Sequence, residues 1–383
     1  MSVYSLDDER KIRVGRLVRD WTKSGLLSEE QRDRIVPELQ VELRRTNVFL
    51  RVVLFIFALL ILQSTLGIVA LTVISSESAA AVVFVILSVV TFWLAGVIVD
   101  RFKFYRFGIE EAVAVTAVLL MGAGAAIGWS AAGHSNFETM LAIALVAGAA
   151  AALAVFARFG YLYAAITAMA AVAALPFLFG DSEMVHRVVA VAILAVFAAT
   201  AWTQRSEYGA EHPGDTYASI EAVAWIGIYA LVNLQLFTTV DRSEPFYWAT
   251  YAGIWILPLL GLWLSIRSRH RMLLDASVLM LLATLISNKA YLGTPQYAWD
   301  PIVFGLLLMG SAIGIRRWLA SGENGERHGF TATRILVSDR AKVGLVGMAG
   351  LAHQPSAPAQ PSSAPPDPMG GGRSGGGGAG GSF

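Results

Sequence analysis

Between Phe49 and Leu319 the chain returns ten times to a run of about twenty mostly apolar residues, the length at which an α-helix crosses the hydrocarbon core of a bilayer. The runs are 49–73, 79–99, 112–132, 137–157, 161–179, 186–203, 217–240, 246–266, 272–291 and 299–319. Few folds are open to such a chain. In lipid every backbone N–H and C=O must find its partner within the protein, which leaves helical bundles and closed β-barrels. Barrel strands alternate apolar and polar residues. Residues 52–62 and 82–90 are apolar on every side, so helices are predicted. The expected class is all-α: a polytopic helical membrane bundle of about ten spans. Only Arg158, Phe159 and Gly160 separate the fourth run from the fifth, but together the two are twice the length one crossing needs.

Charge placement orients the bundle. Lys and Arg accumulate on the cytoplasmic side of membrane proteins. With ten spans and the N-terminus inside, 26 of the 29 basic residues fall on inside segments, and only Arg187, Arg242 and Lys289 fall outside. One span more or fewer would set the N-terminus and the Arg267, Arg269, Arg271 cluster on opposite faces. The reading is a bacterial inner-membrane protein with both termini cytoplasmic; five Lys against 24 Arg, with abundant Ala, suggests a GC-rich genome. Charged residues make up 15% of the chain, against roughly 25% in soluble proteins. A net charge of +1 argues against nucleic acid as a partner. The absence of cysteine excludes disulfides, thiol nucleophiles, Cys-ligated zinc and iron–sulfur clusters within the chain. The first 47 residues hold no long apolar run, so a cleaved signal peptide is not expected and the run from Val48 stays as an anchor.

The ends divide from the span region by composition: 1–47 as a cytoplasmic helical hairpin, 48–320 as the transmembrane domain, 321–352 as a juxtamembrane segment and 353–383 as a disordered tail. Val14, Leu17, Val18 and Trp21 follow helical spacing. Gly25 fits a C-cap, and Ser28 with Gln31 forms a capping-box pattern. Ile35, Val36, Leu39 and Leu43 would line the second helix, kinked near Pro37. Its basic residues favour anionic headgroups. Leu17, Trp21, Gly25, Leu26, Leu27, Ser28, Glu29, Gln31 and Ile35, followed directly by a span, resemble the start of bacterial membrane proteins of the domain of unknown function 2157 family. The resemblance covers about the first quarter of the chain. It implies a multi-pass inner-membrane protein and carries no catalytic residue. In the tail, Ile335 to Val337 and Val343 to Val346 form a weak apolar patch. The Pro/Ser/Gly-rich stretch beyond has too little apolar surface to fold.

Ionisable groups inside spans are functional candidates because burying them is costly. None is predicted at a midplane. Glu110 and Glu111 fall at an inner mouth, Glu138 and Lys289 near outer ends, and Glu221 and Asp275 about one turn in from the inside. The deeper polar groups are neutral: Gln63, Asn233, Gln235 and Asn288. Tyr247, Tyr251 and Trp255 form a stripe on one run, with Trp225 and Tyr229 on the run before. Gln63, Glu221, Asn233, Gln235, Tyr251, Trp255, Asp275 and Asn288 are therefore the candidate lining of a polar or aromatic pathway, set against the plainer reading of packing glue. Gly124 with Gly128, and Gly310 with Gly314, offer GxxxG contacts. No HExxH, Walker-A or GxSxG motif occurs, and the six His show no metal-ligand spacing. No catalytic residue, metal or cofactor is predicted. The expected role is a non-enzymatic scaffold, assembly or sensing component, with the bilayer, a second copy or other membrane proteins as partners. The alternative is a small-molecule transporter built from two inverted five-span halves.

Overall fold

Ser28 and Gln31 satisfy each other reciprocally: the Ser28 hydroxyl accepts from the Gln31 backbone N–H at 3.1 Å, and the Gln31 side chain accepts from Ser28 N–H at 2.9 Å. This capping box starts the helix Glu29–Ile35 of a computed structural model that describes residues 3–73, 75–208, 216–236, 245–295, 297, 299–322, 326–327 and 330–331. The predicted apolar patch at 335–346 and the tail at 353–383 lie outside the described residues. The chain divides into two compact units, Met1–Arg340 and Ala341–Phe383, and all described residues belong to the first.

Twelve helices follow in order: α1 Leu6–Lys23, α2 Glu29–Ile35, α3 Val48–Val73, α4 Glu77–Phe102, α5 Ile109–Ala131, α6 Phe137–Phe159, α7 Leu162–Ala174, α8 Glu183–Tyr208, α9 Thr216–Val232, α10 Pro245–Ser268, α11 Arg271–Leu292 and α12 Asp300–Ala320. The other regular elements among the described residues are three 3₁₀ turns and a two-residue antiparallel pair, Glu326–Arg327 with Phe330–Thr331. Each predicted apolar run holds one of α3 to α12. Eight of these ten are long and apolar enough to cross a membrane. The shorter two are Leu162–Leu178, which is α7 plus a 3₁₀ turn, and Thr216–Val232, which is α9. Large apolar side chains such as Phe57, Leu71, Trp93, Val196, Ile256 and Ile302 point outward, a surface that only lipid or another apolar partner accepts.

The N-terminal segment departs from its prediction twice. The second helix stops at Ile35 instead of continuing to Leu43. Pro37 enters a 3₁₀ turn, Val36–Leu39, because its ring cannot continue the α-helical ladder. Residues 40–47 then run without helix, and Arg44 bridges to Phe104 in parallel. In α1, Glu9, Ile12 and Val18 are buried, while Leu17 and Trp21 stay 40% and 37% exposed. Ile12 packs against the bundle beside Tyr4, Val99 and Tyr105. Of the predicted face, Val18 is buried and Val14 half-buried, while Leu17 and Trp21 stay outside.

Two groups of helices make up the bundle. In the first, α5 packs against α3, α4 and α6. Ser88 of α4 donates to the Ala117 carbonyl of α5 at 2.7 Å. Gly124 sits so close to α4 that a Cβ there would lie 3.0 Å from Val85. In the second, α9 packs against α8, α10 and α11. Met169 of α7 joins the groups by packing with Leu194 and Ile228. Helices α3 and α12 lie at the rim, with none of their most apolar stretch buried. Gly310 and Gly314 of α12 have no neighbour within 4 Å of a notional Cβ among the described residues. The second GxxxG therefore makes no contact there.

Gly108 fixes the approach of α3 to α5. It caps α5 at φ +111°, and a Cβ on it would meet the Arg51 carbonyl oxygen at 2.3 Å. A side chain is excluded both by that contact and by the backbone conformation. Gly108→Ala should lower the thermal midpoint of the purified protein and cost about 1–3 kcal/mol. Gly148→Ala, at a position open to 4 Å, should leave it unchanged or slightly raised.

Candidate functional sites at the two ends of the bundle

At the end away from the N-terminal segment, α9 breaks. It is 17 residues long, about 25 Å at 1.5 Å per residue, and so falls short of a hydrocarbon core of roughly 30 Å. The predicted run continued to Val240. The helix stops at Val232, a 3₁₀ turn Leu234–Leu236 follows, and 237–240 lie outside the described residues. A helix end leaves backbone groups unpaired, and here side chains take them up. The Tyr291 hydroxyl accepts from Leu234 N–H at 2.8 Å and lies 3.3 Å from the Val232 carbonyl. Arg187 of α8 donates to the Leu231 carbonyl at 2.5 Å while also bonding Glu183 at 2.8 and 3.0 Å. A cation at the negative end of a helix is favourable in its own right.

Asn233 sits at the break, fully buried. Its amide donates to Tyr229 Oη at 3.1 Å and Ser287 Oγ at 2.8 Å, and its carbonyl accepts from Gln235 N–H at 3.2 Å. Gln235 Nε2 donates to Tyr247 Oη at 3.2 Å, and that hydroxyl donates to the Tyr291 carbonyl at 2.7 Å. Tyr229 and Thr284 hydroxyls lie 2.9 Å apart. Tyr251 donates to Asn288 Oδ1 at 2.9 Å. Four of the eight predicted pathway residues, Asn233, Gln235, Tyr251 and Asn288, thus converge where α9, α10 and α11 meet. Trp255 packs on the apolar side of the same place. Gln63 does not join them: it is exposed on α3. Sequence reasoning missed Tyr291, Thr284, Ser287 and Arg187. The first three occupy one face of α11 at i, i+3 and i+7, a polar stripe legible in the residues.

At the near end, where residues 3–47 pack, Arg51 makes a two-point contact with Glu111: Nε to Oε2 at 2.9 Å, and Nη2 to Oε1. Glu110 is fully buried and accepts from Phe107 N–H at 2.6 Å. The N-terminal segment is tied to the same place. Val3 N–H donates to the Arg158 carbonyl at 3.0 Å, the Tyr4 and Tyr161 hydroxyls are 3.2 Å apart, and Tyr4 meets Tyr105 edge-on at 5.0 Å. Arg44 N–H donates to the Lys103 carbonyl at 2.8 Å, and Tyr105 N–H to the Arg44 carbonyl at 3.1 Å. Glu221 lies on this end too, 3.2 Å from Arg205 Nε and 3.8 Å from His270 Nδ1. Asp275 is half-buried on α11.

Glu9 of α1 differs from the paired acids. It is buried, and among the described residues no cation lies within ion-pair distance of it. Burial raises its pKa to about 7, with Arg106 and Arg16 pulling the other way. Burial likewise raises Tyr4 and Tyr105. Among the described residues no three His, Asp or Glu side chains gather as metal ligands would.

Comparison with known protein families, with curated proteins and with solved structures finds no match. The residues alone carry the functional reading.

Tyr291→Phe removes the hydroxyl that serves both sides of the α9 break. It should lower unfolding free energy by about 1–3 kcal/mol, measured by reversible denaturation in micelles. Gln63→Leu, on the exposed face of α3, should cost nothing by the same measurement.

Proposed function

We propose that this chain is a ten-span inner-membrane protein with both termini cytoplasmic, acting without enzymatic activity as a scaffold or sensing component whose responsive part is the N-terminal segment. The observation that carries this is the wiring of residues 3–47 onto the near end of the bundle, through Val3, Tyr4 and Arg44, with Glu9 buried beneath them. Supporting the span count, the shorter apolar helices α7 and α9 stand in chain order between longer ones, and a 3₁₀ turn extends α7 to Leu178 while another follows the α9 break. Kinship with the domain of unknown function 2157 family belongs to this reading and rests on the residues from Leu17 to Ile35 and the span that follows.

A transporter reading draws on one observation, the interruption of α9 at Asn233, since broken helices often hold transported solutes. Against it, the polar groups at that break bond one another, and Asn233, Tyr229, Ser287 and Tyr291 are buried. Packing glue between helices accounts for them.

The chain has no cysteine, so single-cysteine labelling needs no background removal. Cysteines placed at Ser76, Ser135, Asp181, Ser243 and Pro295 should react with a membrane-impermeant maleimide in intact cells. Cysteines at Ser2, Lys103 and Ser268 should react only after lysis. Failure of any of the first set to react in intact cells, or reaction of any of the second set there, breaks the ten-span topology.

The sensing half has its own test. Glu9 titrates at about 7 in the folded protein, above the ordinary 4.5. The folded state therefore holds the proton more tightly, and attachment of α1 is strongest below about 4.5 and weakens as pH rises through 7. Amide exchange in α1, corrected for intrinsic rates, should accelerate by roughly one to two orders of magnitude between pH 5 and 8. In Glu9→Gln it should stay slow throughout.

A further inference from the structure

The N-terminal segment and the near end of the bundle enclose a cleft of about 1280 Å³. Seven basic side chains line it: Lys11, Arg16 and Arg19 from α1, Arg32 from α2, and Arg45, Arg51 and Arg106. No carboxylate is among its lining residues. The whole chain carries a net charge of only +1, so this is a local concentration of one sign and not a general property of the surface.

Internal pairing does not use up this charge. Lys11 pairs with Asp7, Arg32 with Asp33, and Arg51 with Glu111. Arg16, Arg19, Arg45 and Arg106 make no ion pair among the described residues. Glu9, which attracts Arg16 and Arg106, is buried and lies outside the cleft lining. Three polar atoms of the wall residues, Thr46 Oγ1, Tyr105 Oη and Arg106 Nε, are also shut away without a hydrogen-bond partner among the described residues. A cleft lined by one sign of charge with low-dielectric walls concentrates counter-charge. Guanidinium groups suit phosphate oxygens in particular, because their donors form a planar fork.

We propose that this cleft binds a phosphate-bearing polyanion, held by Arg16, Arg19, Arg45 and Arg106. The proposal goes beyond the functional reading above, which gives the N-terminal segment no ligand, and its soluble arm does not depend on the span count. Two sources share the chemistry. The cleft floor includes Asn47, Val48 and Arg51, the start of the first long apolar helix, where a lipid phosphate would lie. Its other walls belong to α1 and the 36–45 stretch, where a soluble phosphate would arrive.

The test uses the full chain, purified in neutral detergent for titration with inorganic pyrophosphate and placed in nanodiscs of zwitterionic lipid with or without phosphatidylglycerol. Saturable one-to-one binding of at least one probe is expected, weakening as sodium chloride rises. Arg19→Gln with Arg45→Gln, both exposed and unpaired, should weaken it at least tenfold with no change in thermal midpoint. Should the pair fail to fold, either substitution alone should weaken it about threefold. Arg10→Gln with Arg13→Gln, on α1 but outside the cleft, should change nothing. Binding of pyrophosphate identifies a soluble anion, and binding confined to phosphatidylglycerol identifies a headgroup. Binding of neither probe, or equal weakening by the two double variants, overturns the proposal.

Discussion

A chain that buries itself in lipid must close its own hydrogen bonds, because hydrocarbon offers none. Most of this chain meets that demand through uninterrupted helices, and α9 does not. It ends at Val232, with apolar helices on several sides. Everything around that point answers the break: Tyr291 from α11 takes a backbone N–H, Arg187 from α8 takes a carbonyl, and Asn233 ties α9 to α11 through Ser287. The helices whose side chains seal the gap are thereby fixed in register with α9.

The near end is organised by a different constraint, the cost of burying charge. Glu110, Glu111 and Glu221 are all buried. Glu111 is held by Arg51 across 60 residues of sequence, and Glu221 lies beside Arg205. Such pairs lose much of their attraction to desolvation, but breaking one strands a buried charge and costs several kcal/mol. They therefore fix position more than they add stability. Gly108 permits the first of them: without a Cβ, the α5 N-terminus comes close enough to α3 for Arg51 to reach Glu111. The N-terminal segment then packs on a surface already set by these pairs.

The apolar runs made the helical elements legible, because span length and all-round apolarity are local properties of sequence. α6 begins at Phe137, where the run was placed, with Asn136 capping it at 3.1 Å from Thr139 N–H. Local pattern could not show where α9 stops, since the residues after Val232 remain apolar enough to continue a helix. Asn233 and Gln235 stood out as polar, yet nothing in their own neighbourhood says that Tyr291, 57 residues on from Leu234, completes the site. The same holds for Glu110 and Glu111, legible as acids near an inner mouth but not as buried groups. Gln63 looks like Asn233 in sequence and differs only in that its helix lies at the rim. In α1 the face read from the apolar spacing is buried only in part: Val18 lies inside, and Leu17 and Trp21 lie outside.

The central claim is that the α9 break is sealed by protein and does not line water. Amide exchange at Leu234 and Gln235, in the full chain reconstituted in nanodiscs, tests this most directly. Exchange at Leu234 should be as slow as in the core of α11, since its amide hydrogen is buried and bonded to Tyr291, and the half-buried Gln235 amide, bonded to Asn233, should exchange well below the rate of an exposed loop. Exchange at the rate of an exposed loop would contradict it and would put a water-filled pathway at Asn233.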